Sequence, residues 1–236
     1  MVLDVKGRTA IVLGGTSGIG LATSKQLAAL GCNVIATSRN PERAGEVPPG
    51  ITLKSCDVLD RDGLAKLFAE YAPFDILVAA ATGGTRARGK FLEMDIEGFK
   101  GSFAKLWGYA NAIQLGVPNM TEDGSVVLVS GSPARKSKPG QVAIGSVGGA
   151  VEALARAVAP EIVPRRLNVV APGTIDTPMS PLQGKERKAS YASQTANNLI
   201  PRAGTADEVA QGILFVIQND FVTGTTVDVD GGWLLS

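Results

Sequence analysis

"GGTSGIG", residues 14–20, follows the apolar run "TAIVL" and leads straight into "LATSKQLAALG". Gly14, Gly18 and Gly20 stand at a G-x-x-x-G-x-G spacing on a strand-to-helix junction. Glycine permits the tight turn and a close approach of backbone to a bound group, and the free N–H groups of a helix start favour an anion. In a strand–helix–strand unit the loop reads as a pyrophosphate cradle for a dinucleotide rather than as a turn that is merely rich in glycine. Its expected contacts are Gly14, Thr16, Ser17, Gly18, Ile19 and Gly20.

Outward from this loop, short apolar runs alternate with helical periodicity. Strands are expected at 9–15, 33–38, 51–56, 75–80, 125–130, 167–172 and 225–230. Helices are expected at 19–30, 60–71, 94–117, 141–162 and 205–218. The alternation predicts an α/β fold with parallel strands joined by crossover helices. Between residues 40 and 50 the chain carries Pro41, Pro48 and Pro49, so that crossover should shrink to a turn. A length of 236 residues fits a single domain, 1–236.

Lys and Arg (23) nearly balance Asp and Glu (22), which offers no global field for nucleic acid or an anionic membrane. No segment is expected to span a bilayer, and the first residues lack the continuous apolar stretch of a secretory signal. Cys32 and Cys56 read as small strand thiols in a reducing cytoplasm. Histidine is absent, which excludes histidine-based triads and the usual zinc sites, and no metal is expected.

The end of the second strand should meet the adenosine ribose. A carboxylate there would select NAD, but the residues are Thr37, Ser38 and Arg39. Arg39 can pair with a 2′-phosphate, so the expected cofactor is NADP(H), with Ser38 beside it.

Four blocks now resemble the short-chain dehydrogenase/reductase family over essentially the whole chain. They are the "GGTSGIG" loop, "CDVLD" at 56–60, "NVVAPGTIDTPM" at 168–179 and "FVTGTTVDVDGGW" at 221–233. The resemblance implies a three-layer Rossmann fold, doubly wound on a seven-stranded parallel sheet, a nicotinamide cofactor, and a homodimer or homotetramer. It places Asp57 and Val58 at the adenine, and Pro172, Gly173, Ile175 and Thr177 at the nicotinamide. Ala80 and Ala81 fall within the family's Asn-Asn-Ala-Gly stretch.

Members reduce carbonyls with a tyrosine, a lysine four residues later, a serine and an asparagine. Aligning "VAIGSVGGAVEAL" with that helix puts Ile144 at the tyrosine and Gly148 at the lysine. The serine position falls on Gly131 and the asparagine near Lys105. Hydride arriving at a carbonyl leaves an alkoxide that needs a proton, and an isoleucine has none to give. Gly145, Gly148 and Gly149 then read as the place of a removed reactive pair, with open space that Lys105 would cross.

Candidate replacements follow from position. Lys105 could bind the ribose hydroxyls or assist proton transfer, and Ser132, or Ser130, could hold a substrate oxygen. Tyr109 reads as packing. The lid expected at 176–200 contributes Tyr191. Two basic loops, with Arg86, Arg88 and Lys90 in one and Arg135, Lys136 and Lys138 in the other, border the crevice and suggest a small-molecule ligand bearing an anionic group. Three functions remain open: an oxidoreductase with an altered proton path, a silent NADP(H) sensor or scaffold, and a non-redox enzyme using the cavity.

Overall fold

Parallel strands covered on both faces need side chains that are apolar in both directions, and "AIVL" at 10–13 satisfies that demand with no exposure at any of the four residues. The computed structural model describes residues 3–82 and 86–236. Its strands are β1 (Thr9–Leu13), β2 (Asn33–Ser38), β3 (Ile51–Ser55), β4 (Phe74–Ala79), β5 (Met120–Val129), β6 (Arg166–Pro172), β7 (Ile175–Asp176), β8 (Gly204–Thr205) and β9 (Thr226–Val229). Helices are α1 (Gly18–Ala29), α2 (Arg61–Glu70), α3 (Ile96–Ser102), α4 (Ala104–Gly116), α5 (Val142–Val158), α6 (Gly184–Thr195) and α7 (Ala206–Gln218).

Seven strands pair in the order β3-β2-β1-β4-β5-β6-β9, all parallel. The fold is the doubly wound Rossmann type. The chain winds from β1 toward one edge, then crosses back to β4, so strand order reverses between β1 and β4. Ligands of such sheets bind in the crevice at the carboxyl ends of the strands beside that reversal. One core lies between the sheet and α2, α4 and α5, with Phe68, Tyr109, Leu128 and Val151 within it. The other lies under α1 and α7, where Leu27, Val209 and Ile213 meet Val12 and Val78.

Local chemistry sets the helix ends. Asp60 accepts from the Gly63 amide at 3.1 Å, and Thr205 and Glu208 form a reciprocal capping box at the start of α7. The proline-rich stretch after β2 does reduce to one short 3-10 turn, Pro41–Ala44.

Four expectations need correction. The helix expected at 94–117 is two helices broken at Phe103, because the Ser102 hydroxyl donates back to the Gly98 carbonyl at 2.9 Å while accepting from the Ala87 amide. The expected lid carries α6, whose largely polar face gave no apolar periodicity to read. β5 begins five residues early, and β7 pairs with β8 in a small second sheet. Finally, the run Val142–Glu161 is long and apolar enough to cross a membrane by length and composition, but its inner face, with Val151 and Ala155, packs into the core.

Candidate functional site

β1 ends at Leu13 and Gly14 turns the chain with φ +79°. A Cβ on Gly14 would lie 2.6 Å from the Ala81 nitrogen, and one on Gly20 only 2.0 Å from the Gly14 carbonyl oxygen. Side chains are thus excluded where the loop folds back on itself and on the end of β4. α1 starts here with no acidic residue in its first turn and no side-chain cap from Ser17. The first-turn amides therefore have no acceptor of their own and carry the positive end of the helix dipole.

Every residue expected to hold the cofactor lines one cleft of about 490 Å³. The loop forms its floor. At one end lie Ser38, Arg39, Asp57 and Val58, and at the other Pro172, Gly173, Ile175 and Thr177, with Ala80 and Ala81 between. A Cβ on Gly173 would lie 2.8 Å from the Asp230 Cα, so the nicotinamide-side strand end is as tightly closed as the loop. The hydroxyls of Thr37 and Ser38 are buried without a hydrogen-bond partner. A buried hydroxyl left unpaired is costly, and beside Arg39 the Ser38 hydroxyl is placed to meet a phosphate oxygen. The donors, the glycine cradle and the orphaned Ser38 hydroxyl, which unlike that of Thr37 belongs to a cleft-lining residue, fit a phosphorylated dinucleotide.

At the inner end α4 brings Lys105 into the cleft wall. Its side chain is buried, its ammonium donates to the Ser130 carbonyl at 3.2 Å, and it lies 5.5 Å from the centre of the Tyr109 ring. Burial, with a further push from the Arg86 guanidinium, lowers its pKa from the ordinary lysine value to about 7. Tyr109 is fully buried and donates to the Val129 carbonyl at 3.1 Å. Burial raises its pKa, and it packs in the core without lining the cleft. No tyrosine is among the described residues lining the cleft, and Ile144 and Val147 of α5 stand there instead.

Of Ser130 and Ser132, the one that reaches the cleft is Ser130. Its hydroxyl donates to Glu152 of α5 at 3.1 Å, leaving its lone pairs to accept. Ser132, which the sequence favoured, is wholly buried, has no partner, and does not line the cleft, because the 3-10 turn after Gly131 points it inward. Arg135 is withdrawn as well. It forms a two-pronged pair with Asp228 and reaches Glu152 at 3.4 Å, so its charge is already paired within the chain. Tyr191 lies on α6 outside the cleft, its ring 5.6 Å from the Arg187 guanidinium. Only Arg86 of the three expected ligand contacts lines the cleft, where it meets the Met179 sulfur at 3.1 Å.

Glu152 escaped sequence reading. Its signal was an acid on the same helical stripe as Val151 and Ala155, a position that an acid occupies only with a partner. The glycines of α5 also have a different meaning from the one expected. A Cβ on Gly145 would lie 2.2 Å from the Ser137 hydroxyl, and one on Gly148 3.0 Å from the Ala134 Cβ. The segment 131–138 sits directly on the helix there, so Gly148 leaves no open space for Lys105 to cross.

A family model described as Enoyl-(Acyl carrier protein) reductase matches residues 14–234. The 3-oxoacyl-[acyl-carrier-protein] reductase FabG of Thermotoga maritima is 32% identical, covering 99% of this chain and 100% of its own. Carbonyl reductase family member 4 of Danio rerio is also 32% identical, over 95% of this chain and 97% of its own. Among solved structures, a small-chain dehydrogenase in complex with NADPH matches with a TM-score of 0.82 at 28% identity, covering 98% of this chain and 100% of its own.

Proposed function

The chain belongs to the short-chain dehydrogenase/reductase family of nicotinamide-dependent oxidoreductases, and on that premise we propose that it is an NADP(H)-dependent oxidoreductase for a small molecule whose proton path uses no tyrosine. Gly14 to Gly20 would hold the pyrophosphate, Arg39 and Ser38 the 2′-phosphate, and Pro172 to Thr177 the nicotinamide end. The cofactor, when bound, supplies or accepts a hydride. The protein's own task is to stabilise the charge that hydride transfer creates and to deliver a proton to it.

Lys105 carries this reading. It is the buried titratable group of the inner cleft, and a pKa of about 7 places it where both protonation states are populated at neutral pH. The Ser130 carbonyl holds its ammonium in position, while the Ser130 hydroxyl, committed to Glu152, accepts from a substrate donor. The chemistry suits a bond whose reduction leaves a charge that an ammonium can meet directly, such as an imine or an activated double bond.

The half-exposed face of α4 and α5 supports a homo-oligomer. Trp107 stands 63% exposed there beside a groove lined by Ala110, Leu154 and Val158 and rimmed by Arg61, Asn111, Gln114 and Glu161, a mixed surface of the kind subunit contacts use.

A second reading, a non-redox enzyme or a binding protein that uses the same cavity, draws on the isoleucine and valine that line the wall where a proton donor is otherwise expected. Following 340 nm absorbance with NADPH and a panel of ketones, enones and imines separates the two. Turnover that falls about 100-fold in Lys105→Met supports the first reading. Tight NADPH binding with no turnover anywhere in the panel overturns it in favour of the second.

A further inference from the structure

Among the described residues Arg86, like Arg165, lacks a carboxylate partner, but of the two only Arg86 lines the cleft. Arg8, Arg135 and Arg187 each pair with a carboxylate, and Arg166 donates to four backbone carbonyls. Arg86 lines the cleft, and its described hydrogen bond runs to the Met179 sulfur, a weak acceptor. Among the described residues no carboxylate lies within ion-pair distance of it. Withdrawal from water and the Arg88 guanidinium both disfavour its charge, and the charge of Arg86 in turn disfavours the ammonium of Lys105. A folded chain rarely keeps two such cations together without a counter-charge, because an unpaired half-buried charge is strongly destabilising.

We infer that Arg86 and Lys105 form an anion subsite at the inner end of the cleft, and that the substrate carries a carboxylate or phosphate which Arg86 binds. The inference rests on the reading that the dinucleotide fills the rest of the cleft. Asp57, the acid lining the cleft, belongs to the opposite end beside Val58, and Glu152, behind the Ser130 hydroxyl, is already paired with Arg135. A planar guanidinium suits either oxyanion through paired N–H donors, and Met179, half exposed and in contact with it, forms an apolar edge. The cofactor's pyrophosphate is the competing claimant. It is disfavoured because the charge of Arg86 is felt by Lys105 and Tyr109 on α4, at the inner end, while the amides of α1 serve the pyrophosphate.

The test compares acid and neutral forms of one skeleton on the full-length protein, with and without saturating NADPH. Acetoacetate is set against methyl acetoacetate, and dihydroxyacetone phosphate against dihydroxyacetone, with binding read by calorimetry. At least one anion should bind about tenfold or more tightly than its neutral partner, a ratio that falls to about one in Arg86→Met and recovers in part in Arg86→Lys. NADPH affinity should be unchanged in Arg86→Met, which also reports that the variant folds. Equal binding of acid and neutral forms by the wild-type protein overturns the subsite. So does a loss of NADPH affinity in Arg86→Met, which would give Arg86 to the cofactor. Anion preference without NADPH binding upholds the subsite and removes the cofactor reading alone.

Discussion

Lys105 and Ser130 meet across 3.2 Å, ammonium to carbonyl, at the point where the end of β5 faces α4. The contact joins a side chain that can lose its proton near neutral pH to a residue whose own hydroxyl is committed to Glu152. On the proposed function, Lys105 would be the proton donor of this cleft and the Ser130 hydroxyl a hydrogen-bond acceptor.

Burying that ammonium has a consequence for stability with a definite sign. In the unfolded chain Lys105 titrates near the ordinary lysine value of 10.5, and in the folded protein at about 7. Below pH 7 the folded state carries the whole penalty of a buried charge. As pH rises from 7 toward 10.5 the native lysine is neutral while the unfolded one still binds its proton, so this group's contribution shifts in favour of the fold. Lys105→Met should thus stabilise the protein by roughly 2–4 kcal/mol at pH 6, and by less than half of that at pH 9. Denaturant melts at the two pH values check it, and an equal gain at both would show that Lys105 is not titrating as described.

At the adenosine end, Arg39 with the unpaired Ser38 hydroxyl should make the wild-type protein prefer NADPH to NADH by about 10- to 100-fold. Arg39→Asp should reverse the order by supplying the carboxylate that binds a free 2′-hydroxyl. Fluorescence titration of both cofactors decides, and tighter NADH binding by the wild type would refute the assignment.

Gly148 bears the Ala134 contact, so Gly148→Lys should destabilise the protein by about 1–3 kcal/mol. Writing a tyrosine and a lysine back together as Ile144→Tyr and Gly148→Lys should accordingly fail to produce ketone reduction. Relieving the contact with Ala134→Gly should recover part of the lost stability. A double variant that is both stable and active on ketones would mean that 131–138 does not lie against α5 as described.

Much of this was legible in the residues. The alternation of apolar runs with helical periods marked all seven strands of the main sheet: the five inner ones are buried on both faces and largely apolar throughout, while the edge strands β3 and β9 are only half-buried and carry polar residues. The cradle was legible because Gly14 and Gly20 answer to backbone approaches that no other residue tolerates. What remained hidden depended on contacts distant in sequence. Ser132 and Ser130 are two residues apart with the same side chain, and only the turn after Gly131 decides which one faces the cleft. Arg135 looked free until Asp228, 93 residues away, came beside it. α6 was invisible because a helix lying on the surface with little buried side chain leaves no apolar stripe.

The most direct test is NADPH consumption at 340 nm by purified protein offered simple neutral ketones, beside a titration of NADPH binding. One-to-one NADPH binding with no ketone-dependent fall in absorbance is the predicted result. Brisk reduction of neutral ketones that persists in Lys105→Met would contradict it, since a proton would then be reaching the alkoxide from a group other than the one assigned.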